Sequence, residues 1–414
     1  MKWLKDSDLD EFINVHNYDI RLTKNARWID QKCTPDVITI ISDCILEFLE
    51  SKNVSEIENV EFTSMDIWRS EYAIENVLNI FKKPNPNAAI ARNEYDKFFQ
   101  QPMELLSYSG VLNKIKKGAR NFYKVKSLEM LEYLALRERN CLHFLSKYIE
   151  KVLKDSEIFS SFSNFFVKQD KESFTYMKER FIEFTVSNTN INKRLEPSRI
   201  FTKVLNPLSY IYNKHGSEKG HMSKDIISYD MLMYNRDNFR DLYSDKPKGM
   251  TRKEFAELHN INNKGNQQYF KYLVVKAKRI VRIYNRDFNS SLSELYQENS
   301  RNEIATHMHH IFPEATFPKI AYYMENIIAL TPTQHLNYAH PLNNTSMINR
   351  DYQYLCLIAK TDTIKHSYDF DLGVYDFYKF MIVLRTGLDE EKYLSIEHLD
   401  FDNVIKQINI SYER

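Results

Sequence analysis

Residues 305–344 differ from the rest of the chain and read ATHMHHIFPEATFPKIAYYMENIIALTPTQHLNYAHPLNN. Residues 304–312 and 326–330 are short β-prone runs, which favour strands. Thr331 and Pro332 supply a helix N-cap and a first-turn proline, so a helix is expected to begin there. The segment therefore predicts a strand, a second strand and a helix, in that order.

Histidines lie on both sides of this predicted unit. Neutral imidazole binds divalent metals, and with a pKa of about 6.5 it accepts a proton at cellular pH. The pattern therefore predicts a compact cation site in which a phosphate group can lie. The alternatives are a structural zinc site made of histidines, or histidines without a shared role. Five of the chain's twelve histidines fall in this segment: His307, His309, His310, His335 and His340.

The segment resembles the HNH (ββα-metal) nuclease motif, whose three letters are matched by His310, Asn326 and His335. The resemblance implies that His310 is the general base for the water that attacks phosphorus. Asn326 would hold the loop that bears His310. His309 and His335 would be metal ligands, with Mg²⁺ or Mn²⁺ as the cofactor, or another divalent transition metal.

The third metal ligand is the point at which the chain departs from the family. The family often places this ligand about four residues beyond the last histidine, where this chain has Ala339. His340 follows one residue later and is the predicted third ligand. Water or Asn344 is the alternative.

The composition excludes several other classes of chemistry. The chain has 8 glycines and none of them forms a phosphate-binding glycine motif, which argues against dinucleotide-binding folds and P-loops. Its 4 cysteines form no C-x-x-C pair, so a cysteine-based zinc ribbon is excluded. Lys+Arg number 57 and Asp+Glu number 56, which leaves a net charge of +1. Any surface that binds nucleic acid must therefore be a local patch.

Most of the remaining chain has the three-and-four spacing of amphipathic helices. The stretch 188–265 is polar instead and predicts loops and a domain junction. Helices are predicted over 36–49, 63–82, 92–108, 128–155 and 157–186, over a basic-apolar segment within 266–298 followed by a second short helix, and over most of 350–414.

A basic β-hairpin is predicted after the helix at 92–108, with its turn at 116–119. Together with the preceding helices it resembles a winged helix, in which the hairpin contacts phosphates and a helix reads the major groove. A solvated, charged turn is the alternative. The predicted DNA-binding residues of the hairpin are Lys114, Lys116, Lys117, Arg120 and Lys124, with Lys126 nearby.

A second basic stretch lies on the predicted helix before the histidine segment. It is either a face that follows phosphates or a solvated helix face. Its residues are Lys271, Lys276, Lys278, Arg279, Arg282 and Arg286.

These patterns predict an α+β, mostly α fold. An α-rich DNA-recognition domain is expected over 1–190, with its winged-helix-like part at about 60–130. A linker and helical region is expected over 191–300, the HNH ββα-metal module over 301–345, and a helical region over 346–414.

The expected function is that of a sequence-specific double-stranded DNA endonuclease, most consistent with a type II restriction enzyme. The order of its regions is similar to that of type IIS enzymes, which cut at a distance from their site. Alternatives are another HNH nuclease (homing, phage-defence or toxin) or a DNA-binding regulator with a structural metal site. Its predicted partners are DNA and, during cleavage, a second copy of the chain. A charged N-terminal segment and the lack of a long apolar run predict a cytoplasmic protein without a membrane anchor.

Overall fold

The computed structural model describes residues 4–52, 57–81, 83, 91–234, 261–296, 303–339 and 349–413. The chain forms two compact units, Leu4–Gly265 and Asn266–Arg414, here called the N-terminal and C-terminal units. Helices dominate both, and the strands described form small two-stranded antiparallel sheets. The α+β, mostly α class predicted from the sequence is therefore confirmed. Among the residues described, no helix has the length and apolar character needed to cross a membrane.

In its described residues, the N-terminal unit is a helical assembly with two hairpins. Its helices are α1 (Asp6–Asn14), α2 (Ile20–Thr23), α3 (Pro35–Glu50), α4 (Ser64–Trp68), α5 (Glu71–Phe81), α6 (Ala91–Tyr108), α7 (Leu128–Leu136), α8 (Glu138–Asp155), α9 (Phe159–Lys168), α10 (Lys171–Asn188) and α11 (Leu195–Ile211). Its strands are β1 (Leu112–Lys117), β2 (Arg120–Val125), β3 (His215–Glu218) and β4 (His221–Ile226). Short 3₁₀ turns cover Ile57–Asn59 and Tyr229–Leu232.

The C-terminal unit carries the histidine segment. It contains helix α12 (Ile261–Asn289, which begins just before the unit boundary), strands β5 (His307–His310) and β6 (Ile327–Leu330), a π-helical segment (Gln334–Ala339), and helices α13 (Arg350–Asp369), α14 (Phe377–Leu388) and α15 (Phe401–Ser411), with 3₁₀ turns at Met324–Asn326 and Glu391–Ser395.

Helix α3 forms the centre of the N-terminal unit. It begins after Thr34 with Pro35 at its first position, where a proline has no intrahelical hydrogen bond to lose. Nearly every residue from Pro35 to Leu46 is buried, because α3 packs against α7 and α8 on one side and α6 on another. A helix that is apolar on most of its surface is stable only in such an enclosed position.

The basic hairpin is joined to the segment before α4. Gly118 takes a φ of +60° in the two-residue turn between β1 and β2, a conformation that suits glycine. Phe62 and Tyr123 exchange backbone hydrogen bonds of 3.0 and 2.8 Å, so residue 62 pairs with β2 in antiparallel fashion. Along the chain, helix α3 is followed by Phe62, which bridges to β2, then by helices α4 to α6, and then by the hairpin.

Two sequence predictions fail in the described residues. The stretch 188–265 was expected to be loops, yet it contains α11 and the β3–β4 hairpin. Ile200, Val204 and Leu208 recur every four residues along α11 and are buried, and this apolar stripe outweighs the polar residues around it. The second short helix expected within 266–298 does not form in 290–296.

The C-terminal unit is tied together by a buried ion pair. The Lys360 Nζ of α13 lies 2.8 Å from the Glu294 carboxylate, and both side chains are essentially inaccessible to solvent. Glu294 also accepts a hydrogen bond of 2.8 Å from the Ala329 backbone N–H in β6. The pair therefore fixes β6 relative to α13.

Gly387 in α14 lies directly against the Phe312 ring, which follows β5. A Cβ at position 387 would overlap that ring, and Phe312 is only 1% exposed. Alanine inside a helix normally stabilises by about 1 kcal/mol relative to glycine. We expect Gly387→Ala to destabilise this unit instead, by about 1–3 kcal/mol, because the core is overpacked. Thermal denaturation of Gly387→Ala, and of Gly387→Ala with Phe312→Leu as the compensating control, tests this. A higher melting temperature for the single variant would contradict it.

Candidate metal and catalytic site

Strands β5 and β6 pair in antiparallel register, with His307 opposite Leu330 and His309 opposite Ile328. Side chains alternate between the two faces of a strand, so His307 and His309 share one face. His310 lies on the other face. The strand thus separates the predicted metal ligand from the predicted base.

The first face of β5 brings three histidines together. The His309 and His335 rings have centroids 5.2 Å apart and are nearly perpendicular, and the His307 ring stacks on His335 at 4.8 Å. Two imidazoles bound to one tetrahedral ion have ring centroids about 5 Å apart, given metal–nitrogen bonds of about 2.0–2.1 Å. The spacing of His309 and His335 fits a shared metal ion.

His335 is positioned by a reciprocal cap at the start of its helix. The Thr331 hydroxyl accepts from the Gln334 backbone N–H at 3.2 Å, and the Gln334 side chain accepts from the Thr331 N–H at 3.1 Å. This is a capping box, and Pro332 stands at the first helical position as the sequence predicts. Gln334 also donates to the Leu295 carbonyl at 2.8 Å, which anchors the turn.

His310 is held by the loop that connects β5 to β6. Its Nε2 lies 2.9 Å from the Ala321 carbonyl oxygen, which can only accept, so Nε2 carries the proton. Nδ1 is then the nitrogen with a free lone pair. Burial, together with the nearby Lys278 ammonium, lowers the pKa of the His310 imidazole to about 4. His310 is therefore neutral at cellular pH, as a general base must be.

Asn326 fastens the same loop. It is fully buried, and its side-chain oxygen accepts from the Phe312 N–H while its amide donates to the Phe312 carbonyl, both at 2.9 Å. The amide also lies 3.4 Å from the Ile320 carbonyl. These bonds fix the backbone just after His310. Asn326 is therefore placed to position His310, the task that the sequence resemblance assigns to it.

The predicted third ligand lies outside the described residues. His340 and the alternative Asn344 both fall in the segment 340–348, of which the structure describes nothing. Within the described ranges, no group of three or more His, Cys, Asp or Glu side chains could hold a metal ion. The two described imidazoles, His309 and His335, would leave the remaining coordination positions to oxygen atoms of substrate and water.

His307 is a neighbour of the site that sequence reasoning did not assign. The sequence feature that could have identified His307 is the His-x-His spacing of residues 307 and 309. This spacing places both side chains on one face of any strand. Its ring packs on His335 and so restricts the orientation of that ring.

The predicted DNA-binding residues of the hairpin fall on two faces. Lys114 and Lys116 share a face with Tyr123, and Lys114 pairs with Glu104 of α6 at 2.6 Å. Lys117, Arg120 and Lys124 lie on the opposite face, where Lys117 and Lys124 pair with Glu61 at 2.5 and 3.5 Å.

Two hairpin cations, Lys116 and Arg120, differ from the rest. Both are exposed, and among the described residues neither forms an ion pair. These two are therefore the hairpin cations with charge still available for an anionic partner.

Helix α6 presents a row of polar residues that sequence reasoning missed. Asn93, Lys97 and Gln100 are exposed and follow a spacing of four and three, so they form one stripe. Glu104 continues this stripe and bonds Lys114 and the Tyr123 hydroxyl, which brings the row up to the hairpin. The spacing of these residues within the predicted helix is the sequence feature that could have identified this row.

Comparison with models of protein families, with curated proteins and with solved structures finds no match to this chain.

We expect His309→Ala and His335→Ala to weaken metal binding, because each removes one of two imidazoles at ligand spacing. Calorimetric titration with Mn²⁺ measures this, and the matched control is His398→Ala, a histidine elsewhere in the same unit. Unchanged Mn²⁺ affinity in both variants would remove them from the ligand set.

Proposed function

We propose that this protein is a metal-dependent, sequence-specific DNA endonuclease of the HNH type. The observation that carries the proposal is the placement of the histidines on the two opposite faces of β5. One face carries His309 with His335 at ligand spacing, and the other carries a neutral His310 whose Nε2 is bonded to Ala321. Asn326 fixes the backbone just after His310 through its two hydrogen bonds to Phe312.

In this proposal each residue has a stated task. His309 and His335 bind the divalent ion, Mg²⁺ or Mn²⁺, which when present neutralises a non-bridging phosphate oxygen and stabilises the leaving oxygen. His310 accepts a proton from water at Nδ1 while Nε2 remains bonded to the Ala321 carbonyl. Asn326 keeps this imidazole oriented. Removal of a proton by a positioned base contributes about 10²–10⁴-fold to the rate.

DNA recognition is proposed for the N-terminal unit. The order of α3, the bridge residue Phe62, helices α4 to α6 and the hairpin resembles that of a winged helix. In that arrangement α6 is the helix that enters the major groove. Its exposed Asn93, Lys97 and Gln100 are side-chain types that form hydrogen bonds with base edges. Lys116 and Arg120 would contact the phosphate backbone on either side of the hairpin.

A type II restriction enzyme with the type IIS order of regions is the proposed biological class. The HNH-like segment occurs once in 414 residues, and one such site cuts one strand. We therefore propose that a second copy of the chain joins during cleavage, in the cytoplasm. The competing function is a DNA-binding regulator whose histidines hold a structural metal. The proton-accepting geometry of His310 favours the enzyme.

The test is digestion of phage DNA by the purified full chain with Mg²⁺ or Mn²⁺, followed by sequencing of the ends. Discrete bands that disappear with a chelator support a site-specific endonuclease. A smear indicates a non-specific nuclease. DNA that stays intact but is retarded in a gel supports the regulator. Single-site and two-site plasmids, cut over a range of protein concentrations, test the second copy: cutting strictly first order in enzyme, without stimulation by the second site, would contradict it.

Lys116→Ala and Arg120→Ala are expected to weaken DNA binding mainly at low salt. Each phosphate contact contributes about 0.9 to the slope of log K against log[salt], so each substitution should flatten that slope by about one. Lys219→Ala, at the tip of the β3–β4 hairpin, is the matched control and should leave the slope unchanged. Fluorescence anisotropy with a labelled duplex measures the slope. Equal slopes for all three variants would place the DNA elsewhere.

A further inference from the structure

The basic stretch on α12 divides into cations with different surroundings. Lys271, Lys278 and Arg282 follow helical spacing along one side, and all three are exposed or half-buried. Lys276 is 8% exposed and lies over the Tyr272 ring. Arg286, one turn beyond Arg282, is paired with Asp287 at 2.8 Å. The stretch is therefore not one uniform solvated face.

Helix α12 contacts the loop that holds His310. Near the start of the described side chains, the Phe270 ring packs on Tyr322 with centroids 5.4 Å apart. Tyr322 follows Ala321, whose carbonyl accepts the His310 hydrogen bond. Two helical turns on, the Lys278 ammonium interacts electrostatically with the His310 ring and with the Glu314 carboxylate.

Lys278 and Arg282 have no direct partner in the described part of the chain. Neither forms a hydrogen bond or an ion pair there, and Arg282 acts on Lys278 only as a like charge. Like charges four residues apart on a helix destabilise it. Half-burial of Lys278 adds a further cost, since it removes water from the ammonium. An anion bound between the two groups would offset both costs.

We propose that Lys278 and Arg282 form a phosphate-binding site beside His310, which holds the DNA phosphodiester that is cut. This rests on the proposed nuclease function and adds residues outside the HNH-like segment. The Lys278 ammonium, nearer to His310, is placed to stabilise the negative charge that grows on the phosphate during attack. The Arg282 guanidinium offers a paired set of donors that suits a phosphate oxygen pair.

The test compares Lys278→Met and Arg282→Met with Arg286→Met, all in the full chain. Binding of a labelled duplex is measured in a chelator, so that no cutting occurs, over a range of salt concentrations. Cleavage is measured separately with Mn²⁺. Lys278→Met is expected to lower kcat about 10–100-fold, and Lys278→Arg to restore part of it. Arg282→Met is expected to raise KM and to flatten the salt slope by about one. Arg286→Met should match the wild type within a factor of two.

The outcomes separate this site from the nuclease function. Should the wild type cut DNA while Lys278→Met and Arg282→Met behave like Arg286→Met, the phosphate site is wrong and the nuclease function stands. If the wild type binds without cutting, loss of binding in both variants supports the anion site while the nuclease function fails. A wild type that neither binds nor cuts DNA overturns both. Thermal denaturation of each variant excludes unfolding as the cause, and Lys278→Arg keeps the test decisive should Lys278→Met not fold.

Discussion

His310→Ala is expected to abolish cleavage while DNA binding remains at the wild-type level. The substitution removes the neutral imidazole whose Nδ1 is proposed to accept the proton, and it leaves α6 and the β1–β2 hairpin intact. The expected loss is about 10²–10⁴-fold in rate. Single-turnover cleavage with Mn²⁺ measures it, beside anisotropy of the same duplex in a chelator.

The lowered pKa of His310 also predicts how the cleavage rate depends on pH. Because its folded pKa is about 4, lower than its usual value of about 6.5, the ring stays neutral as the pH falls from 7.5 to 6. His310 itself therefore causes no loss of rate over that range. His366→Ala serves as the matched histidine control. Cleavage by His310→Ala within a factor of two of the wild type would remove this residue from the mechanism.

Asn326→Ala is expected to reduce both stability and cleavage. It leaves the buried N–H and C=O of Phe312 without partners, and each such group costs about 1–3 kcal/mol. The expected fall in unfolding free energy is therefore about 2–6 kcal/mol, measured by urea denaturation. Cleavage should fall even where the variant is fully folded, because the loop beside His310 loses its attachment.

Asn326→Asp is the sharper variant of this test. It keeps the oxygen that accepts from the Phe312 N–H but loses the amide that donates to the Phe312 carbonyl. At neutral pH its buried carboxylate also faces the Phe312 carbonyl oxygen without a partner, so Asn326→Asp should be no more stable than Asn326→Ala. If Asn326→Ala unfolds at the same urea concentration as the wild type and cuts DNA at the same rate, Asn326 has no positioning role.

Local signals in the sequence account for much of the candidate site. The Thr331–Pro332 cap predicts the start of the helix that carries His335, and the apolar runs predict β5 and β6, although the observed strands are shorter. These are short-range effects, in which caps and alternation act over a few residues. Asn326 could be matched to a motif, but its bonds to Phe312 depend on how the intervening loop folds.

The sequence could not supply contacts between distant segments. The proximity of Lys278 to His310 depends on the packing of α12 against the β5–β6 loop, and helical spacing alone leaves that face indistinguishable from a solvated one. Helix α11 was missed because the stretch around it is polar, whereas the buried Phe201 and Leu205 show that packing prevails. Tertiary burial outweighs local propensity at such positions.

Because Glu294 and Lys360 form a buried ion pair, the residues tolerated at these two positions, 66 residues apart in the sequence, depend on each other. Loss of either charge alone leaves the other buried without its partner, which typically costs about 3–5 kcal/mol, while apolar replacement of both is often tolerated. Each single substitution is therefore expected to be strongly disfavoured during evolution. A change from the charged pair to an apolar pair would require two substitutions in close succession. In a mutational library of this protein, single changes at 294 and 360 should be depleted while matched double changes survive.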